Sequence, residues 1–513
     1  MIAVLLGWLL AAAAPASSFR IAGTVVNSVT RQPVAGAQLN LAPVEHVGQR
    51  VDAIAGADGR FAFAGLPAGK YVLAGQRHGL LQALTGSIVA GHGQDTESIV
   101  LALVPPGAVT GKVVDDAGEP VEHASVELLS SRIVSGRRRV RNFASAQTDD
   151  LGEYRFSSVP PGTYYVTASG HPWYTKFNET LGDAPPRSIT HVGFGVKYYP
   201  NVSEAAAAAP LAVKAGQEAA ANFLVLAVPA VSLTVHCEGA DDIPKHFTLS
   251  APGLAGHQVI VREATEPGDS YNFWGVPPGR YTLRAEVQDN GRTAYAKSEI
   301  DMGATDTEAS LTLQEPPKLT GAVELEGGGS LPPGFAVTLT ADDTGRSVPA
   351  AVSPDGKILF PAIAPQRYRV SLMRAEDFYL KSWSVEGARR DGETFDINAG
   401  AVARLRLIIE TGTCRIRGTV ERGGHPLPGA LVVLVPGARA AEHRAVESAS
   451  DGSYEFRGVP PGDYALFAVA EGDDLEYANP TAIQPYLGAA EKVHVAAGAS
   501  LNQRLTLEAP PKS

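Results

Sequence analysis

Apolar residues recur at every second position in short runs along this chain of 513 residues, the period of a strand with one buried face. The clearest run is Tyr454-Glu455-Phe456. It follows the pair Asp451-Gly452, a turn signal, because glycine accepts a positive φ without a Cβ clash. It precedes Val459-Pro460-Pro461-Gly462, where two prolines fix φ and offer no donors, so the strand must stop. Tyr464 opens the next strand. The phrase reads as turn, strand, tight loop, strand.

Five copies of this phrase lie along the chain. Their phenylalanines are Phe63, Phe156, Phe273, Phe360 and Phe456, spaced by roughly 87 to 117 residues, a period that suits an independent sandwich domain rather than a solenoid unit. Two positions earlier stand Phe61, Tyr154, Tyr271, Ile358 and Tyr454, always large. A tyrosine column, Tyr71, Tyr164, Tyr281, Tyr368 and Tyr464, is unbroken. Both columns are expected in the core, with the tyrosine ring under the Pro-Pro-Gly loop and its hydroxyl bonded to backbone, as in a tyrosine corner. The position after the phenylalanine varies freely (Ala64, Ser157, Trp274, Pro361, Arg457), which is the spread expected at solvent.

Each phrase is preceded by a first strand such as Ile21-Ala22-Gly23-Thr24-Val25 or Ile416-Arg417-Gly418-Thr419-Val420. A second alternating strand follows, such as Gly429-Ala430-Leu431-Val432-Val433-Leu434. About seven strands complete a repeat. The expected fold is therefore all-β, a tandem array of about five seven-stranded Ig-like or prealbumin-like sandwiches after a signal peptide. The boundaries read 1–16 for the signal, then 17–104, 105–229 (with insertions), 230–315, 316–411 and 412–513, the third and fourth repeats being divergent.

The combination of I/V/L-x-G-x-V, G-A-x-V-x-L and D-G-x-Y-x-F-x-G-V-P-P-G-x-Y resembles the carboxypeptidase regulatory-like domain, one of the transthyretin-like sandwiches also described as carbohydrate-binding-like folds. The resemblance is strong in repeats one, two and five and partial in three and four. Tyr198-Tyr199-Pro200 followed by residues 213–223 looks like versions common in bacterial proteins of this kind. The resemblance implies tandem sandwiches of a secreted or envelope protein of bacteria. It carries no catalytic residue, because in the peptidases that name the family this domain accompanies a separate zinc domain.

Composition adds compartment and excludes partners. Gly 54 and Pro 37 in a chain 44% hydrophobic point to packed cores joined by many turns. With 43 basic and 54 acidic residues, net −11, a nucleic-acid partner is disfavoured. The apolar run of residues 2–13 with Ala14-Pro15-Ala16 reads as a secretory signal cut near Ala16. It is short for about 30 Å of hydrocarbon, and no later stretch approaches the ~20 apolar residues of a transmembrane helix. The expected location is secreted, periplasmic or in the cell envelope. Two cysteines, Cys237 and Cys414, cannot frame five domains and read as buried thiols.

Chemistry is sparse. None of the twelve histidines has the Glu at i+3 that a zinc peptidase needs, and the pair His443 and Glu447 at i+4 is isolated in a loop-like region. No calcium loop, nucleophile elbow or phosphate loop appears. No catalytic residue, metal or cofactor is expected, and the chain reads as a non-enzyme. The candidate binding residues are aromatics: Trp173, Tyr174, Phe177, Tyr198 and Tyr199 in one insertion of repeat two, and Trp274 in repeat three. Such rings stack on sugars or fill protein interfaces. For the insertion, a small core pinning the loop is the simpler reading. For Trp274 the two readings are evenly matched. The basic loop Arg137-Arg138-Arg139-Val140-Arg141 reads as a solvated hairpin tip, with capture of an acidic polysaccharide or a neighbouring surface as the alternative. The expected function is a non-catalytic binding, adhesion or scaffold protein, with a glycan or an envelope protein as partner. A spacer that pairs sheet edges, or an accessory to a separately encoded hydrolase, are the alternatives.

Overall fold

The computed structural model describes residues 18–45, 49–91, 93–172, 191–239, 243–289, 291–342, 344–373, 376–437, 443–472 and 474–507. Within them the regular secondary structure is almost entirely strand, arranged as five two-sheet sandwiches. In the first, Phe19–Asn27 lies between Arg60–Leu66, antiparallel, and Ile99–Leu103, parallel. The facing sheet runs Val51–Ile54, Gln38–Pro43, Gly69–Arg77, Leu80–Leu84. The same plan returns with Gly107–Val114, Val231–Glu238, Lys318–Leu325 and Cys414–Arg422 as an inner strand flanked by one antiparallel and one parallel neighbour.

Both aromatic columns sit between the sheets. Phe63, Phe156, Phe273, Phe360 and Phe456 are buried, as are Tyr71, Tyr164, Tyr281, Tyr368 and Tyr464. Each tyrosine hydroxyl donates to the carbonyl four residues earlier: Pro67 at 2.9 Å, Pro160 at 2.8 Å, Pro277 at 2.8 Å, Ala364 at 3.0 Å and Pro460 at 2.7 Å. The ring anchors the loop and the hydroxyl satisfies a carbonyl that the prolines leave without a ladder partner. The altered loop of the fourth repeat keeps this bond, because the acceptor is backbone and needs no proline.

The glycine of the first strand has a packing reason. A Cβ on Gly111 would stand 1.9 Å from the Ala221 carbonyl, and one on Gly418 1.7 Å from that of Gln503. Those carbonyls accept from the hydroxyls of Tyr154 and Tyr454. At these points the parallel neighbour breaks into two pieces, Glu218–Ala220 with Phe223–Leu224, and Ser500–Asn502 with Leu505–Leu507. Gly and Tyr together hold an irregular strand in place. In the third sandwich Val235 stands opposite Tyr271, and the parallel neighbour pairs without a break over Leu233–Glu238. The divergent opening of repeat three follows from the regular strand beside it.

Two features depart from simple alternation. Leu431-Val432-Val433-Leu434-Val435 is apolar throughout, since a helix, Pro480–Leu487, covers its outer face. Val433, Val435, Phe467 and Ile483 form a second small core there, with the Phe467 and Tyr486 rings stacked at 5.2 Å. Lys245 is fully buried along its stem, and its ammonium meets Asp269 at 2.7 Å. Cys237 and Cys414 are buried free thiols, each with its pKa raised chiefly by burial, which makes them inert toward oxidation.

Candidate functional site

The most developed polar site is built by the basic hairpin of the second sandwich. Its strands, Ser125–Val134 and Arg137–Gln147, pair without interruption from Leu129↔Asn142 to Val134↔Arg137, so the hairpin projects as a rigid two-stranded arm. Its tip needs positive φ at Ser135 and Gly136, and the tip rests on the fifth sandwich. The Ala478 amide donates to the Gly136 carbonyl at 2.9 Å. A Cβ on Gly136 would reach the Tyr477 ring at 2.5 Å.

The arginines then reach two other sandwiches. Arg138 pairs with Glu476 of the fifth at 3.1 Å. Arg139 binds both oxygens of Asp342 in the fourth, at 2.6 and 3.1 Å. Arg141 lies over Gly345, where a side chain would strike its guanidinium, and donates to the Asp342 and Thr344 carbonyls at 3.4 Å. Two-point arginine–carboxylate contacts are the most geometrically demanding ion pairs available. The expectation of a solvated tip is corrected here: the loop is basic because it is docked against carboxylates and carbonyls of neighbouring domains.

Other seams close the array further. The Ser450 amide donates to the Ser87 carbonyl at 2.9 Å and Ser450 Oγ accepts from the Val89 amide at 3.0 Å. Lys70 reaches Ser453, and Arg457 pairs with Glu45 at 2.8 Å. The turn that opens the fifth phrase thus rests on the first sandwich. Between the second and third sandwiches, Arg262 donates to the Gly170 carbonyl at 3.1 Å, and the buried Glu127 carboxylate meets His257 Nε2 at 3.0 Å.

Three of the six candidate aromatics lie among the described residues. Trp173, Tyr174 and Phe177 lie outside the described residues. Tyr198 is buried, not exposed, with its hydroxyl 3.4 Å from the Pro252 carbonyl of the third sandwich. Burial and the Glu127 and Glu204 charges push its pKa up to about 12. Tyr199 packs partly buried on the second core. Trp274 is half-buried, and its strand lies against Val192–Phe194, where a Cβ on Gly193 would meet the Gly275 carbonyl at 2.2 Å. The position after the phenylalanine is exposed in three repeats. It is half-buried at Trp274 and Arg457, in strands that border a neighbouring sandwich.

The family model of the carboxypeptidase regulatory-like domain matches residues 20–103, 108–184 and 415–508. Three of the five sandwiches are carboxypeptidase regulatory-like domains. They are the first, second and fifth, the same three whose motifs are most complete in the sequence. No curated protein matches the chain. Among solved structures, the minor pilin GBS52 of Streptococcus agalactiae is similar at 13% identity, over 41% of this chain and 97% of that one, with TM-score 0.23. The TIE protein of Bacillus anthracis is similar at 12%, over 97% of this chain and 76% of that one, with TM-score 0.17. The shaft pilin SpaA of Lactobacillus rhamnosus GG is similar at 13%, over 42% and 98%, with TM-score 0.19.

Within the regulatory-like domains the polar groups near the loops are engaged in structure. Asp149 and Asp451 accept from backbone amides of their own turns, the ordinary role of Asp in an Asx turn. Among the described residues no group of three or more His, Cys, Asp or Glu could hold a metal ion. The docking seat was invisible in sequence because Asp342 and Glu476 lie 203 and 338 residues from their arginines. The one legible signal was the density of arginine in a single hairpin of an acidic chain.

Proposed function

We propose that the chain is an exported, non-catalytic scaffold in which five sandwiches are held as one closed body and present their outer faces to partners in the cell envelope. The observation that carries this reading is the docked arm, which spends three arginines, Arg138, Arg139 and Arg141, on contacts inside the molecule. Loops consumed in this way are unavailable for catalysis and instead fix the geometry of the array. The family supports it, since a regulatory-like domain accompanies chemistry done elsewhere. Among the described residues no helix is long and apolar enough to cross a membrane. Export rests on residues 2–16, and mass spectrometry of the secreted chain should find Ser17 at its start. Small-angle scattering tests the closed body: the full chain should be compact and Asp342→Arg should expand it, whereas an extended wild type would defeat the reading.

A second reading, binding of a neutral glycan, is favoured by the outer face of the first sandwich. There Gln38, Asn40, Gln76, Gln82 and Asp52 line a groove of about 670 Å³, with Gln76 bonded to Gln38 and Asn40 to Asp52. Planar amides and a carboxylate in a row match pairs of sugar hydroxyls. On a glycan array, Gln38→Ala with Gln76→Ala should abolish a signal that Trp274→Ala leaves in place. The absence of any signal from wild type would remove this reading.

A further inference from the structure

On the outer face of the larger sheet, the residue three after the corner tyrosine is paired across strands in each regulatory-like domain. The pairs are Asn40 with Ala74 in the first sandwich, Glu127 with Thr167 in the second and Val433 with Phe467 in the fifth. In the second and fifth both members are buried. The third sandwich meets the one face through His257 and Ile260, and the helix Pro480–Leu487 covers the other. In the first sandwich both members are half-buried, and on the strands to either side Ile54 and Leu84 are 71% and 67% exposed. The chain covers this face twice and leaves it open once.

The open copy is also chemically different. Where the fifth sandwich sets Val433, Val435 and Phe467 under an apolar helix, the first has Asn40, Ala42 and Ala74. An apolar partner would find little there to bury, whereas a sugar can lay its C–H face on alanine and its hydroxyls on amides. The groove runs on past Gln76 and Gln82 into a second cavity of about 390 Å³, walled by Gly36, Arg77, His78 and Leu80. There the Arg77 guanidinium lies over Gly36, 3.6 Å from where a Cβ would stand. Arg77 has no carboxylate partner among the described residues. All five Asp and Glu of residues 18–104 are described and engaged elsewhere. Asp58 lies beside Arg60, Glu97 pairs with Arg20, Glu45 with Arg457, Asp95 accepts from Ser98, and Asp52 accepts from Asn40. The polar groove therefore ends on an unneutralised cation.

We propose that this groove takes an acidic glycan, with neutral sugar units along the amide row and the carboxylate of a uronic acid on the Arg77 guanidinium. The arginine fork matches the two oxygens of a carboxylate, and the amides match hydroxyl pairs but add no charge of their own. The inference rests on the glycan reading of the groove and specifies its ligand by adding one charged unit to the neutral stretch.

The test uses the full chain and short oligomers of galacturonate, glucuronate and mannuronate, each beside its methyl ester, which keeps the sugar and removes the charge. Calorimetry should show one site per chain that binds at least one acid about tenfold or more tightly than its ester, the effect of one charge-assisted contact. Arg77→Gln, at an exposed position, should bring the acid down to the level of the ester and leave the ester unchanged. Arg77→Lys should fall between, since it keeps the charge and loses the fork. Added sodium chloride should weaken the acid and spare the ester. Equal binding of acid and ester by wild type, or acid binding that Arg77→Gln leaves unchanged, overturns the inference. The two readings fail separately. Esters that bind as well as acids, and are lost in Gln38→Ala with Gln76→Ala, keep the groove and defeat its acidic ligand alone. A chain that binds neither form defeats the groove itself and the inference with it.

Discussion

Arg139 and Asp342 are 203 residues apart in sequence and form a two-point ion pair at 2.6 and 3.1 Å, with both side chains largely removed from solvent. The pair couples the second sandwich directly to the fourth. Removing either partner leaves the other desolvated, so Arg139→Ala and Asp342→Ala should each weaken the seam. Their combination should cost less than the sum. A double-mutant cycle on the full chain, followed by denaturant unfolding, should give a coupling of about 1–3 kcal/mol. A coupling near zero would mean that the arm is not seated in solution.

Gly136 faces Tyr477 with no room for a side chain. Its positive φ of 74° disfavours one as well. Gly136→Val should lift the tip, and the four arginines behind it then become protease sites. Trypsin should cut wild type slowly between residues 137 and 141 and the variant at least several-fold faster. Equal rates would show that the tip is free in both.

Tyr464 combines a buried ring with a hydroxyl bond to the Pro460 carbonyl at 2.7 Å. Tyr464→Phe should cost about 1 kcal/mol, the net value of one such bond. Tyr464→Ala should cost about 3–5 kcal/mol through the cavity it leaves. Hydrogen exchange over Leu431–Pro436, the strand paired beside Tyr464, reads the effect locally. Unchanged protection in the alanine variant would contradict the buried-ring role.

Closure should depend on pH through His443. Its imidazole pKa is lowered in the docked state, first by burial and second by Arg137. The opened state therefore binds the proton more readily. The contribution to docking is complete above the ordinary imidazole value, near 6.5, and is lost as pH falls through that value toward the docked one. Scattering from the full chain in chloride should show expansion between about pH 7 and pH 5. His443→Gln should flatten the response. A transition that persists unchanged in that variant would assign it to other groups.

Period-two alternation, the Asp-Gly turns and the Pro-Pro-Gly loops determined the sandwich by local rules, because strand faces and turn conformations depend on near neighbours. The Phe and Tyr columns were legible for the same reason, since five superposed copies separate buried positions from variable ones. For Tyr198 the sequence left a small core and an open ring as alternatives, because the group its hydroxyl meets, the Pro252 carbonyl, comes from another sandwich. The helix Pro480–Leu487 left a local trace, Asn479 capping Thr481 ahead of Pro480, but the face it covers is 50 residues upstream. Arg137 to Arg141 could be seen as a basic cluster in the sequence. Only the tertiary structure decided that its partners are Asp342 and Glu476, because an ion pair is a matter of distance in space and leaves no mark on the spacing along the chain.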